Sequence, residues 1–146
     1  MQRLTCIVFL IGLILAPCLC NASFIEDVKW MALNIYHESR SEPIDGQIMV
    51  AITTLNRVKD SRFPNNIKNV VQQKGQFSWF SDGKSDKAQD VVSWNKCVYI
   101  SILTILACTN MDSSNILYYH NTSVEPYWAN KMVFYKQVGN HKFYVD

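Results

Sequence analysis

Apolar side chains after residue 22 recur with the period of an α-helix, and this pattern restricts the fold more than any other feature. One apolar stripe consists of Phe24, Val28, Met31 and Ile35, and the acidic residue Glu38 continues it. Their spacings of four, three, four and three place them on one helical face, while Asn34 lies off it. A first helix is therefore predicted from about residue 23, where Ser23 can act as the N-cap, to about residue 39. It ends at "SRSEP" because the residue before Pro43 avoids helical geometry.

The rest of the chain is also mostly helical in pattern. Pro43 suits the first turn of a second helix, with an apolar face formed by Ile44, Ile48, Ala51, Ile52, Leu55 and Val58. A short helix is predicted around residues 67–73, followed by an irregular segment with Gly75 and Gly83 as turn points. A long helix from about 85 to 109 is so apolar that we expect it to be central and mostly buried. The Gly139-Asn140 pair favours the turn of a small closing hairpin.

Size and composition fit one domain. A chain of 146 residues can bury a real core, and its 49% apolar and 12% aromatic content excludes a disordered or fibrous protein. With 14 Lys and Arg against 12 Asp and Glu, the net charge of +2 is too small to favour nucleic-acid binding. We therefore expect a mainly helical single domain with a small β-hairpin and no nucleic-acid partner.

The first 22 residues have the pattern of an export signal. Arg3 precedes an apolar run over residues 6–16, and Cys20 and Ala22 occupy the two selective positions of a small-residue cleavage pattern. The run is shorter than the ~20 residues of a membrane-spanning helix. We predict a signal peptide over residues 1–22 and a folded domain over 23–146, secreted, periplasmic or cell-wall-associated, with no stable membrane span. An uncleaved N-terminal anchor is the alternative, and a lipoprotein signal fits worse because proline precedes Cys18.

Cleavage would leave two cysteines, Cys97 and Cys108, both in the predicted long helix. At ~1.5 Å rise per residue they lie roughly 16 Å apart along the axis. A disulfide requires Cα atoms within about 7 Å of each other. We expect two free, buried thiols that serve packing.

Glu38 ends the first stripe, and its position allows two interpretations. Periodicity alone favours a solvated residue at a helix end, although a negative charge there opposes the helix dipole. In the other interpretation Glu38 is a general acid. A carboxyl group next to Ile35, Tyr36 and further aromatic side chains loses hydration, which raises its pKa and keeps a proton available for a leaving group. Sugar-cleaving enzymes need such an acid together with aromatic and amide side chains, and "GQFSWF" and "LYYHN" contain both kinds.

Four segments, in one order, resemble a known family. "IYHESRSEPIDGQIMVAITTLNRV" resembles the opening of the SleB-type cell wall hydrolases, whose spore-cortex members cleave bacterial peptidoglycan. "FPNNIKNVVQQKGQFS", "LYYHN" and "VGNHKFY" are similar to that family's second block, its tyrosine-asparagine segment and its closing strand. The resemblance runs from about residue 30 to 144. It implies a mainly α, lysozyme-like fold similar to that of soluble lytic transglycosylases.

The resemblance also implies a reaction and a site. The catalytic glutamate of the family falls on Glu38, and its substrate-contacting blocks fall on Gln76, Phe77, Ser78, Tyr118, Tyr119 and Asn121. The implied activity is that of a lytic transglycosylase on peptidoglycan glycan strands. One glutamate would cleave the bond between N-acetylmuramic acid and N-acetylglucosamine and leave a 1,6-anhydro end. We expect no metal or other cofactor, and a monomer.

The residues themselves leave several alternatives open. Glycosidases usually use two carboxylates, and the candidates for a second one are Glu42, Asp45 and Glu125. Gln76 and Ser78 are equally explained as turn residues, and one of Tyr118 and Tyr119 as a core residue, since neighbours in an extended segment point opposite ways. Ser39, Ser41 and His120 depart from the family pattern, which puts fine substrate preference in doubt.

Other protein classes remain as rivals. A zinc hydrolase built on His37, His120 and His141 is disfavoured because no HExxH motif or paired Cys/His spacing is present. A muramidase that admits water and an inactive peptidoglycan-binding protein are the two alternatives to the transglycosylase. Either a phage lysin or a wall-remodelling enzyme would fit the same pattern.

Overall fold

The computed structural model describes residues 22–108 and 115–146, which form five α-helices and a three-stranded sheet. The helices are α1 (Ala22–Ser39), α2 (Ile44–Lys59), α3 (Ile67–Val71), α4 (Ser78–Ser81) and α5 (Val91–Cys108). The strands are β1 (Ile116–Asn121), β2 (Val133–Val138) and β3 (His141–Val145), with a 3₁₀ helix, Ala129–Lys131, before β2. No helix within these ranges is long and apolar enough to cross a membrane. The predicted signal segment lies outside the described residues, apart from Ala22.

The first two predicted helices are confirmed, and they form most of the core with α5. α1 buries Met31, Ala32 and Ile35, and it packs against α2, α3 and α5. Asn34, which the pattern places off the apolar face, is also fully buried. Its Nδ2 donates to Thr54 Oγ1 at 3.2 Å, and its Oδ1 accepts from Trp79 Nε1 at 3.3 Å. Because both ends of the amide are hydrogen-bonded, it links α4, α1 and α2 at little desolvation cost.

The predicted start of the long helix near residue 85 is wrong, because α5 begins at Val91. The Tyr36 hydroxyl accepts the backbone N–H groups of Gln89 at 3.1 Å and Asp90 at 3.0 Å, which holds the preceding segment outside the helix. The Asp90 carboxylate then accepts from Val92 N at 3.0 Å. This side-chain bond satisfies a donor in the first turn that has no helical partner.

The prediction that this helix is mostly buried is correct for only one of its faces. That face contains Cys97, Ile100, Ser101 and Thr104, which are buried, and α5 packs against α1 and α2. The opposite face carries exposed apolar side chains. Cys97 is a free thiol, and burial raises its pKa to about 11. The side chain of Cys108 is not among those described.

The predicted closing hairpin is confirmed, and it is part of a larger sheet. β2 and β3 pair antiparallel on either side of the Gly139-Asn140 turn, and β1 pairs antiparallel with the other edge of β3. The strand order is therefore β1-β3-β2. Ile116 and Phe143 of the sheet pack on Met49 and Val50 of α2 in a second, smaller core cluster.

A carboxylate joins the corner between α1 and α2 to the hairpin turn. Glu42 is buried, and its Oε2 accepts from Asn140 N at 2.8 Å while Oε1 accepts from Asn140 Nδ2 at 3.2 Å. Gly139 has a φ of +55°, and a Cβ there would collide with the Glu42 carboxylate. Glycine is therefore required at this position both for its backbone conformation and for space.

Alanine at position 139 should destabilise the protein more than alanine at Gly83. Both glycines have positive φ, +55° and +74°, so backbone strain costs about 1–2 kcal/mol at either. At Gly83 nothing lies within 4 Å of the new Cβ, whereas at Gly139 it displaces Glu42. Losing those charged hydrogen bonds should cost about 1.5–3 kcal/mol more. Urea unfolding of the two variants measures the difference, and equal losses would contradict the proposed link.

Candidate active site

Two consecutive side chains of α2 fix the position of β1. Asn56 Nδ2 donates to Ile116 O at 3.0 Å, and Arg57 Nε donates to Leu117 O at 2.8 Å. All four groups belong to buried residues, where a hydrogen bond is costly to break. Tyr119 follows this anchored segment in β1, and its ring lies against Phe143 of β3, with the ring centres 5.5 Å apart. This anchoring brings the Tyr119 hydroxyl to the end of α1.

Arg57 is a buried cation surrounded by aromatic rings, and only 5% of it is exposed. Its guanidinium carbon lies 5.3 Å from the ring centre of Phe63, 5.7 Å from Phe77 and 5.9 Å from Tyr118. Burial lowers the pKa of this guanidinium, but an arginine remains charged in proteins. A positive charge is thereby fixed beside Glu38 and both tyrosines of β1.

Sequence reasoning missed Arg57. The sequence holds no clear signal for it, because Arg57 lies off the apolar face predicted for α2, which contains Ile48 and Leu55. In the structure Arg57 follows Val50 and Thr53 on another side of this helix, which is also buried. A buried arginine has to be paired or stacked, and its partners come from other elements.

Glu38 lies in the last turn of α1, partly buried, with Tyr119 as its hydrogen-bond partner. The Tyr119 hydroxyl donates to Glu38 Oε2 at 3.3 Å. Burial raises the pKa of Glu38 to about 7, although the Tyr119 hydrogen bond and the Arg57 charge each act to lower it. The pKa of Tyr119 is raised well above its ordinary value by burial and by Glu38. At neutral pH Glu38 is therefore divided between its acid and its carboxylate form, so it can both donate and accept a proton.

The predicted substrate residues fall into two groups. Tyr119 contacts Glu38, while Phe77 and Tyr118 lie against Arg57, and Phe77 is buried. The other group is exposed: Gln76 and Ser78 at the start of α4 and Asn121 at the end of β1, where its Oδ1 accepts from Ser123 N at 2.9 Å. Among the described residues, none of these three hydrogen-bonds to Glu38. Their roles stay predictions.

The three candidates for a second carboxylate differ in their surroundings. Glu42 uses both oxygens to bind Asn140 at the hairpin turn. Asp45 and Glu125 are exposed. In the described part of the chain, none of the three hydrogen-bonds to Glu38 or Tyr119, so nothing pairs a second acid with Glu38.

The three histidines each have their own surroundings. His37 Nε2 lies 3.0 Å from Asp86 O, and its ring stacks on Trp79 at 4.5 Å. His120 Nε2 lies 2.9 Å from the Tyr144 hydroxyl, and the His141 ring meets Tyr119 edge-on. Over residues 22–108 and 115–146, no group of three His, Cys, Asp or Glu side chains could hold a metal ion.

Comparison with solved structures identifies the class of fold. The domain is similar to the catalytic domain of the germination-specific lytic transglycosylase SleB from Bacillus anthracis, with a TM-score of 0.68, 29% sequence identity and coverage of 85% of this chain and 98% of that one. The catalytic domain of the Bacillus cereus SleB protein gives a TM-score of 0.65 at 28% identity, covering 85% of this chain and 93% of that one. The expected mainly α, lysozyme-like fold with a small sheet is thereby confirmed.

Sequence comparison identifies the family. The model of the cell wall hydrolase family matches residues 41–144, a range that begins just after Glu38, and the chain belongs to this family. It is similar to the spore cortex-lytic enzymes of Bacillus cereus, at 33% identity over 122 residues, and of Oceanobacillus iheyensis, at 31% over 127 residues. These alignments cover 81% of this chain but only 44% and 41% of the two relatives. The chain thus spans less than half the length of the curated relatives it matches.

Glu38→Gln should stabilise the protein at pH values above 7. The folded-state pKa of about 7 exceeds the ordinary value of 4.5, so the folded state holds this proton more tightly than the unfolded state. The stability that results is fully present below pH 4.5 and is lost as the pH rises to 7. Glutamine avoids this loss, which is about 3 kcal/mol for a shift from 4.5 to about 7.

Urea unfolding on both sides of that pH window tests this prediction. The stability of the variant relative to the wild type should increase from below pH 4.5 to above pH 7. Glu125→Gln, at an exposed position, is the matched control. If the free energy of unfolding of Glu38→Gln differs from that of the wild type by the same amount at every pH, the carboxyl group is solvated and the prediction is wrong.

Proposed function

We propose that this protein is a lytic transglycosylase that cleaves peptidoglycan glycan strands, with Glu38 as its single catalytic acid and base. The observation that carries the proposal is the partly buried Glu38, with a pKa of about 7 and a tyrosine hydroxyl on one oxygen. Membership of the cell wall hydrolase family and the similarity to a SleB lytic transglycosylase catalytic domain support the substrate and the reaction.

The first step requires Glu38 in its acid form. Its proton passes to the glycosidic oxygen between N-acetylmuramic acid and N-acetylglucosamine, and the bond from that oxygen to the muramic C1 breaks. The N-acetyl group of the muramic ring stabilises the positive charge that develops at C1. Among the described side chains, Tyr119 alone hydrogen-bonds to the Glu38 carboxyl group, at Oε2, which leaves the other oxygen available to the substrate. The Arg57 charge favours the carboxylate that this step produces.

The second step returns the proton. The Glu38 carboxylate takes the proton from the 6-hydroxyl of the same muramic ring, and the 6-oxygen attacks C1. This closes the 1,6-anhydro ring without water and restores the Glu38 acid. One group serves both steps because its pKa lies near neutrality. No second carboxylate is needed, which agrees with the engagement of Glu42 by the hairpin turn.

The predicted substrate residues take different parts in this proposal. Gln76, Ser78 and Asn121 are exposed and would contact the glycan directly. Phe77 is buried under Arg57 and would act by holding that charge in place, with Tyr118 on another side of the guanidinium. The protein would reach its substrate by export through the signal segment of residues 1–22, and the reaction scheme includes no metal or other cofactor.

Mass spectrometry of the fragments released from purified peptidoglycan tests the proposed function. The wild-type protein should release fragments with 1,6-anhydro-muramic ends, and Glu38→Gln should lower the rate at least about 100-fold because general acid–base catalysis is lost. Glu125→Gln should retain activity. Reducing ends that are abolished by Glu38→Gln would indicate a muramidase, and the absence of release by the wild type would indicate a binding protein.

Tyr119→Phe should move the pH dependence of the reaction upward. The Tyr119 hydrogen bond lowers the pKa of Glu38, so its removal raises that pKa. When kcat/KM is plotted against pH, it falls at high pH as Glu38 of the free enzyme loses its proton. In Tyr119→Phe this fall should occur at a higher pH than in the wild type. Tyr118→Phe, at the neighbouring position that faces Arg57, is the control and should leave the pH of this fall unchanged. A fall at the wild-type pH in Tyr119→Phe would contradict the assignment of Glu38 as the acid.

A further inference from the structure

The outer face of α5 carries apolar side chains where a surface helix normally carries polar ones. Val92 is 80% exposed, Tyr99 64%, Leu106 55% and Leu103 49%. A helix that is apolar on all sides is normally covered on all sides. Neighbouring apolar side chains that are exposed together on one face are typical of a contact with another molecule.

The spacing on this face matches that of helix–helix packing. Val92, Lys96, Tyr99, Leu103 and Leu106 follow one another at intervals of four, three, four and three, which is the spacing of the seam between paired helices. Lys96 is the charged member of the series. Its Nζ donates to Arg40 O at 3.4 Å, at the end of α1. The ammonium therefore lies beside the seam, and the apolar stem of the side chain lies within it.

A hollow lies beside this seam on the same face. It has a volume of about 160 Å³ and lies between α2 and α5, with a lining that includes Ile44, Ile48, Tyr99 and Leu103. An apolar cavity of about 150 Å³ is large enough to hold a benzene ring. The face therefore presents both a projecting ring, that of Tyr99, and a depression in which such a ring fits. A symmetric contact between two identical surfaces requires both features.

We propose that two copies of this chain pack antiparallel through α5, about a two-fold axis near Tyr99. The seam is nearly symmetric about this residue. In the antiparallel arrangement Val92 lies opposite Leu106, and Lys96 lies opposite Leu103. A parallel pair would instead place Lys96 against Lys96, which like charges disfavour. The Tyr99 ring of each copy enters the hollow of the other.

A second copy fits this face better than a lipid surface does. Membrane-bound helices carry several basic residues along their polar face. α5 has Lys96 as its one basic residue, and it lies within the apolar series rather than on a polar face. The dimer departs from the monomer expected from the sequence, and it does not rest on the proposed enzymatic function.

Sedimentation equilibrium of the purified protein tests the proposal. The wild type should be a dimer that dissociates on dilution, and Tyr99→Asp and Leu103→Asp should each be monomeric at concentrations where the wild type is dimeric. Tyr127→Asp is the matched control because Tyr127 is 82% exposed and lies outside the seam. It should remain dimeric.

Circular dichroism should show unchanged helix content in each variant, since the replaced side chains are exposed. Tyr99→Ser, which adds no charge, repeats the test if the aspartate variant unfolds. A wild type that is monomeric at every concentration would overturn the proposal, as would dimers in both seam variants. A monomeric wild type that binds anionic lipid vesicles through Tyr99 would also overturn it, and would assign the face to a membrane surface.

Discussion

The buried charge of Arg57 is the constraint on which the rest of the site depends. A guanidinium removed from water is tolerated only with hydrogen bonds and favourable electrostatic partners, and three parts of the chain supply them. β1 contributes the Leu117 carbonyl and the Tyr118 ring, while Phe63 and Phe77 come from the segments on either side of α3. The need to surround this one charge draws the helical part and the sheet together. Glu38 is placed where they meet.

A single ionisable side chain can serve as acid and then as base only if its two protonation states differ little in free energy. Burial disfavours the Glu38 carboxylate, whereas Tyr119 and Arg57 favour it, and the balance lies near neutral pH. Neither a fully solvated nor a fully desolvated carboxyl group would reach this balance. The site resembles a lysozyme acid in its raised pKa. It differs in having a cation, Arg57, near the acid, and none of the carboxylates within residues 22–108 and 115–146 hydrogen-bonds to Glu38.

Local patterns in the sequence predicted those parts of the fold that local forces determine. The period of the apolar residues located α1 and α2, and the Gly139-Asn140 pair located the hairpin turn. The start of α5 was missed because it depends on the Tyr36 hydroxyl, which is distant in sequence from the backbone groups it binds. Asn34 and Arg57 were missed for a related reason. Polar residues are tolerated in a core only when partners from other elements reach them, and spacing within one helix does not reveal those partners.

Glu38 could be proposed from sequence because an acid at the end of an apolar stripe is anomalous in itself, and because the surrounding segments resemble a family. Its raised pKa could not be derived in the same way, since it depends on how deeply α1, α2 and β1 enclose the carboxyl group. The exposed face of α5 is a case in which the sequence pattern predicted burial that the structure does not show. Apolar content indicates burial, but it does not distinguish burial in the chain's own core from burial against another molecule.

The strand order β1-β3-β2 also determines when the site can form. β3 is the central strand of the sheet, although it follows both of its neighbours in the chain. Tyr119 gains its cross-strand neighbour, Phe143, only when β3 has been added. A chain still emerging from the ribosome therefore has Glu38 without the completed sheet that supports its tyrosine partner. The sheet that supports the tyrosine partner of Glu38 is therefore complete only when the last strand of the chain is in place.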